Sequence, residues 1–364
     1  VRAFTGGEGA DAYLAGGEDL RVPLRVLEAA PPRPAAKLVT AALHTVIVAL
    51  VDDALLADTA TLQWLAACWE EIKSNESHRL LIVPMYDRAG GTLRMREPAL
   101  GSNQLEDLHA FGGPSLRQGL LALRVLHLCR QCLAAGIGTP GVDASLRLFI
   151  SHAKGDGLPL ALALGDLIRR YGWLDKFYDA SDISSGSDWE AVLQREASSS
   201  ILVVLRTSLY QTRAWCRQEV RWADESAVPI VVVEARTGLV HAADGLPLTT
   251  APSVTVPDGN LIRVLHLAIR ESLRALRFLR EVELLRGVLP QQVEVLSRTP
   301  GPGAILHACR RLMELEDSRD RAIVYPDPRL PDTDLAVAEA IIATEAAGTA
   351  LLTPDAIAAG SAIS

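Results

Sequence analysis

Two stretches of this chain carry the same pattern, and no other feature limits its fold as much. ALHTVIVALVDDALL, then Trp64, a helical stretch and RLLIVPMYD run from Ala42 to Asp87; SSILVVLRTSLY, then Trp215, a helical stretch and VPIVVVE run from Ser199 to Glu234. Short β-branched runs between polar loops read as buried strands of a parallel sheet, so each copy is a strand, a loop, a Trp-led helix and a second strand. Both copies are followed by RVLHL within an amphipathic helix, at Arg124 to Leu128 and at Arg263 to Leu267. Two related α/β units are the simplest account of such self-similarity.

The second copy has more in front of it. LRLFIS reads as a strand from Leu146 to Ser151, LPLALALGDLIRRYG as a helix and KFYDA as a short strand, before the polar SDISSGSDW. The first copy has about 40 residues there, passing through the Pro-rich APPRPAAK, with no run matching that strand and helix. GIGTPGVDAS between the copies matches G-x-G-x-x-G, but it follows a helix and precedes a strand, the reverse of a dinucleotide loop, so it reads as a hinge. Beyond about Arg286 a β-α-β-α-β order returns in fewer than 80 residues, a small third α/β unit. Its turn at Gly301 to Gly303 stands between a strand and a helix, where phosphate loops occur and where ordinary turns also occur. The expected organisation is an α/β domain at 1–135, a linker at 136–145, a second α/β domain at 146–285 and a small α/β domain at 286–364.

With 364 residues, 49% hydrophobic and 22% charged, the chain has the composition of folded domains. Its longest uncharged stretch is the 14 residues from Leu38 to Val51, short of the ~18 apolar residues a spanning helix needs, so no membrane partner is expected. The start, VRAFTGGEGADAYL, lacks the apolar core of a secretory signal and, beginning at Val1, suggests a fragment or a trimmed chain; a cytoplasmic location is expected. A net charge of -8 opposes phosphate-backbone binding, so nucleic acid is not an expected partner. The five cysteines are odd in number and scattered. Cys129 and Cys132 have metal-like spacing but lie in a helical pattern with no second pair, so reduced buried thiols and no metal are expected.

The second unit resembles a TIR domain (Toll/interleukin-1 receptor type), of the bacterial and plant kind. LFISHAKGDG, FYDASDISSGSDWE and SSSILVVLRTSLYQTRAWCRQEV follow the family's order over about Leu146 to Leu279, WCRQE being the most specific. The resemblance implies a flavodoxin-like parallel sheet, so the chain is expected to hold tandem flavodoxin-like (TIR-like) units and a smaller C-terminal α/β unit. It also implies cleavage of the nicotinamide glycosidic bond of NAD+, with Glu219, four residues after Trp215, as the catalytic carboxylate. NAD+ enters as substrate, with no cofactor, and self-association through TIR domains is implied. In the first unit Cys68 stands four residues after Trp64, with Glu70 and Glu71 off register, so that unit resembles a degenerate, non-cleaving copy.

The residues support the assignment in their own right. At 100° per residue Cys216, Val220, Trp222, Ala223 and Ala227 form an apolar arc that contains Glu219, while Arg217, Gln218, Arg221, Asp224 and Glu225 fill the other side. A carboxylate in that arc either edges a pocket or pairs with a neighbouring cation such as Arg213. Nicotinamide leaves as a neutral molecule from a pyridinium, so one carboxylate near the oxocarbenium-like centre is enough, unlike the pair needed in ordinary glycoside hydrolysis. Trp189 and Trp215 are candidates to stack on the cationic ring, or are core aromatics. Phe149, Ser151 and His152 belong to the first strand of the unit, and its carboxyl end is where ligands bind in open α/β sheets. Ser151 and His152 either contact substrate or help cap the following loop, where Asp156 is the expected N-cap. Asp179 and Asp182 are either substrate contacts or loop formers, and the loop with Gly186 resembles the one through which TIR domains associate. The function expected is an NAD+ glycohydrolase acting as a bacterial immune or signalling effector; the alternative is a non-enzymatic TIR scaffold.

Overall fold

The computed structural model describes residues 43–84, 89–101, 105–108, 113–135, 146–172, 174, 176–178, 188–235, 248, 250–257, 259–315 and 320–360. The expected linker at 136–145, and Asp179, Asp182 and Gly186, lie outside the described residues. The chain divides into two compact units, Val1–Ala144 and Ser145–Ser364.

In the N-terminal unit, strand β1 (Thr45–Val51) pairs in parallel with β2 (His78–Pro84). Between them run α1 (Asp53–Ala57) and α2 (Thr59–Lys73), whose first turns are capped by the carboxylates of Asp52 and Asp58. Asp58 starts α2 so early that Trp64 is its sixth residue. Short helices α3 (Ala89–Arg96) and α4 (Pro98–Gly101) follow, and then α5 (Pro114–Ala135), which carries RVLHL and packs on both strands.

Within α5 His127 is 1% exposed, and neither ring nitrogen has a hydrogen-bond partner. Burial, helped by Arg124 and Arg130 one turn to either side, lowers its pKa from 6.5 to about 4. Between those values the unfolded histidine binds a proton that the folded one refuses. Stability of this unit should therefore be complete above pH 6.5 and fall as pH drops toward 4, by up to about 3 kcal/mol. Urea midpoints taken across that range should lose this slope in His127→Leu; an identical slope in the variant would refute the assignment.

The second unit opens with β3 (Arg147–His152), α6 (Leu158–Tyr171) and β4 (Lys176–Tyr178), then α7 (Trp189–Ser199), β5 (Ile201–Arg206), α8 (Ala214–Glu225), β6 (Ile230–Glu234) and β7 (Ser253–Thr255). The five strands are all parallel, in the order β4-β3-β5-β6-β7. That is the flavodoxin-like order expected from the resemblance. Phe149 and Val203 lie on adjacent strands, β3 and β5. Residues Ile201 to Leu205 and Ile230 to Val233 are buried without alternation, because helices cover both faces of the sheet. α8 is the crossover between β5 and β6, as α1 and α2 are between β1 and β2, but Trp215 is only its second residue.

Helix α9 (Ile262–Leu285) carries the second RVLHL and spans ~36 Å at 1.5 Å per residue. It packs on β5, β6 and β7. Farther along, Phe278 and Val282 join Ala322, Val324 and Leu352 in the core of a second sheet. That sheet is β8 (Gln292–Val295), β9 (Arg321–Val324) and β10 (Thr349–Leu352), parallel and ordered β10-β9-β8. Helices α10 (Pro302–Glu314), α11 (Asp332–Glu345) and α12 (Pro354–Ala358) complete the β-α-β-α-β order read from the sequence. One helix thus packs on the first sheet and supplies side chains to the core of the second.

Candidate active site

β3 turns from apolar to polar at its carboxyl end, where Ser151 and His152 follow Leu148, Phe149 and Ile150. Ser151 is 1% exposed, and its hydroxyl donates to Oε2 of Glu219 on α8. Glu219 is itself 6% exposed, on the same side of the helix as Cys216, Val220 and Ala223, as its arc predicts. Tyr210, fully buried in the loop after β5, places its hydroxyl 2.6 Å from Ser151 Oγ. Each hydroxyl has one hydrogen. With the Ser151 proton on Glu219, the Tyr210 proton goes to Ser151. The 3.4 Å approach of Tyr210 to the Cys216 carbonyl is then left without a donor.

Asp156 holds the loop that carries Tyr210. Its two carboxylate oxygens accept from the Thr207 hydroxyl at 2.6 Å and from the Leu209 amide at 2.9 Å. The expectation that it caps α6 is corrected here: the N-cap is Gly157, with no side-chain capping bond. A Cβ on Gly157 would lie 3.0 Å from the Ala153 carbonyl oxygen, so a side chain there would crowd the turn. Burial, with the Glu219 charge next to it, raises the Cys216 thiol to about 12, which keeps it protonated beside the carboxylate.

The two tryptophans expected to stack are on the surface. Trp189 opens α7, whose first turn is capped by Asp188, and is 45% exposed; Trp215 is 40% exposed. Their rings meet edge to face, with centroids 4.3 Å apart, and Trp222 stands 6.4 Å behind Trp215. His152 is partly buried at the last position of β3, with Nδ1 3.5 Å from the Ile150 carbonyl. Phe149 does not reach this surface. It is fully buried in the core with Leu202, Val204, Tyr210 and Val220, which corrects its place among the substrate contacts. On a strand covered on both sides, either parity of residue points into core.

Two further expectations change. Asp224, assigned to the polar side of α8, is 2% exposed because α10 packs there. The Gly301–Gly303 turn, a possible phosphate loop, is filled by that same carboxylate. In the N-terminal unit a cavity of about 300 Å³ is lined by Trp69, Lys73, His78, Arg79, Glu106 and Arg124. Most of its charged groups have partners within the unit: Lys73 pairs with Glu70, Arg124 with Glu106, and Arg79 donates to the Glu76 and His78 carbonyls. On α5 burial raises the Cys129 thiol to about 12 and also raises that of Cys132, holding both as thiols.

Loss of the Tyr210 hydroxyl should be felt as one neutral hydrogen bond. Tyr210→Phe is expected to lower stability by about 1 kcal/mol in a denaturant titration; a cost below the error of the titration would mean that the Tyr210–Ser151 bond contributes nothing.

Residues 148–247 match the family model of the TIR domain, so the chain carries a TIR domain over that span. Domains of this family act in signalling or in NAD cleavage, and commonly self-associate. No curated protein and no solved structure matches the chain. Among the described residues no helix is long and apolar enough to cross a membrane.

Proposed function

We propose that this chain is an NAD+ glycohydrolase, a bacterial immune or signalling effector that depletes NAD+ when activated. The observation that carries the reading is the buried Glu219 carboxylate, oriented by Ser151 and Tyr210 at the carboxyl end of the sheet, beside an exposed tryptophan pair. In the reaction the C1′–N bond breaks and its electron pair goes to the nicotinamide nitrogen, neutralising the pyridinium. Water then adds to C1′ and gives up a proton, leaving ADP-ribose. In this reading Glu219 accepts hydrogen bonds from the ribose hydroxyls, and its charge stabilises the oxocarbenium-like centre. Trp189 and Trp215 offer π faces to the pyridinium, and His152 borders the same strand end. The same carboxylate would also serve transfer of the ribosyl group to an internal acceptor, giving a cyclic product.

The N-terminal unit is a degenerate, non-cleaving copy in this reading. Its parallel crossover and its RVLHL helix packed on β1 and β2 support the relation, and Cys68 replaces the carboxylate. A second reading, a TIR scaffold without catalysis, is favoured by Leu158 and Leu162, which lie one turn apart on α6 and are 40% and 50% exposed. Product analysis separates the readings: purified chain, clustered and incubated with NAD+, should release nicotinamide in step with ADP-ribose or its cyclic form. NAD+ that stays intact under clustering would leave the scaffold.

A further inference from the structure

The far end of the Glu219 helix is held by the C-terminal sheet unit. Asp224 lies five residues beyond Glu219, which at 100° per residue turns its carboxylate to a different face of α8. There it accepts from the Arg298 guanidinium and from the backbone N–H of Ala304, in the first turn of α10. A helix N-terminus favours negative charge, and here that charge comes from the TIR domain. Gly301 and Gly303 make the room for it. A Cβ on Gly301 would lie 2.9 Å from one Asp224 oxygen, and a Cβ on Gly303 2.5 Å from the other.

The next turn is built into the same unit. Ser297 Oγ donates to the Ala227 carbonyl at 2.7 Å. Ala227 closes a Schellman turn, its N–H bonding the Asp224 carbonyl at 2.9 Å while the Val228 N–H bonds the Ala223 carbonyl at 3.2 Å. Glycine is the usual residue at that place, yet Ala227 holds it at φ 51. Its methyl is packed in one core with Ala304, Ile305 and Leu312, and this packing offsets the strain. Two side chains of the C-terminal unit, two of its glycines and its hydrophobic core therefore converge on the last turn of α8.

We propose that Asp224 and Arg298 are positioning residues: through them the C-terminal sheet unit holds α8 in the register that keeps Glu219 against Ser151. The proposal rests on reading Glu219 as the catalytic carboxylate. A group that works by stabilising charge at one atom is sensitive to displacement, and about 1 Å of misplacement can lower a rate by ~10²-fold. Substrate binding, spread over several contacts, is less sensitive.

The test uses the whole chain with Arg298→Ala, Gly303→Ala and Arg298→Lys. Gly303→Ala pushes the carboxylate aside without removing a charge. Amide hydrogen exchange should quicken by about tenfold or more across residues 214–225 in the first two variants and stay unchanged in β5. NAD+ cleavage should lose about tenfold or more in kcat with KM within about twofold, and Arg298→Lys should recover part of both effects. Should Arg298→Ala fail to fold, Gly303→Ala and Arg298→Lys carry the same two readouts. Unchanged exchange in the helix, or a loosened helix with unchanged kcat, would overturn the proposal. If the parent chain cleaves no NAD+, that failure belongs to the glycohydrolase reading, and the exchange data alone sustain or overturn the hold on α8.

Discussion

Glu219→Gln is expected to lower kcat for NAD+ cleavage by about 10²- to 10³-fold while keeping the fold and most of the NAD+ affinity. Glutamine has the shape of glutamate and can still accept from Ser151, so that bond survives. What goes is the charge, and the charge matters most when C1′ becomes cationic, near the transition state. Binding of the ground state, where the positive charge still lies on the pyridinium, should change little. The thermal midpoint should hold or rise, because an amide at a site 6% exposed avoids the desolvation cost of an ion.

Clustering is expected to have the other large effect. At sub-micromolar concentration the chain should cleave NAD+ slowly. Copies joined by a short flexible linker see each other at about millimolar effective concentration, so a site completed by association should gain about 10²-fold or more in rate per molecule. The exposed Trp189 and Trp215 beside a buried carboxylate are the surface such a neighbour would cover. Equal specific activity for tethered and dilute protein would refute assembly dependence and leave each copy competent alone.

The runs ILVVLR, IVVVE and LFIS were readable as parallel strands because their continuous apolar character has few other uses. Glu219 was readable because a carboxylate broke an otherwise apolar arc. Phe149 misled, since strand parity cannot distinguish surface from core when both faces are covered. Asp156 misled for a different reason: a carboxylate just before a helix looks the same whether it caps that helix or reaches across to Thr207 and Leu209. Tyr210 gave no signal in SLYQT, because its partner Ser151 is 59 residues away. Helical periodicity put Asp224 on a polar face without saying that α10 would cover it. The glycines around Pro302 looked like a phosphate turn for a sound reason, as they do surround an anion, but the anion is supplied by the chain itself.

The most direct test of the account measures thermal midpoint and single-turnover NAD+ cleavage on the same two clustered proteins, the parent chain and Glu219→Gln. The account predicts a midpoint equal to or above the parent's, with cleavage reduced by about 10²-fold or more. A lowered midpoint with undiminished cleavage per folded molecule would make Glu219 a structural ion and contradict it.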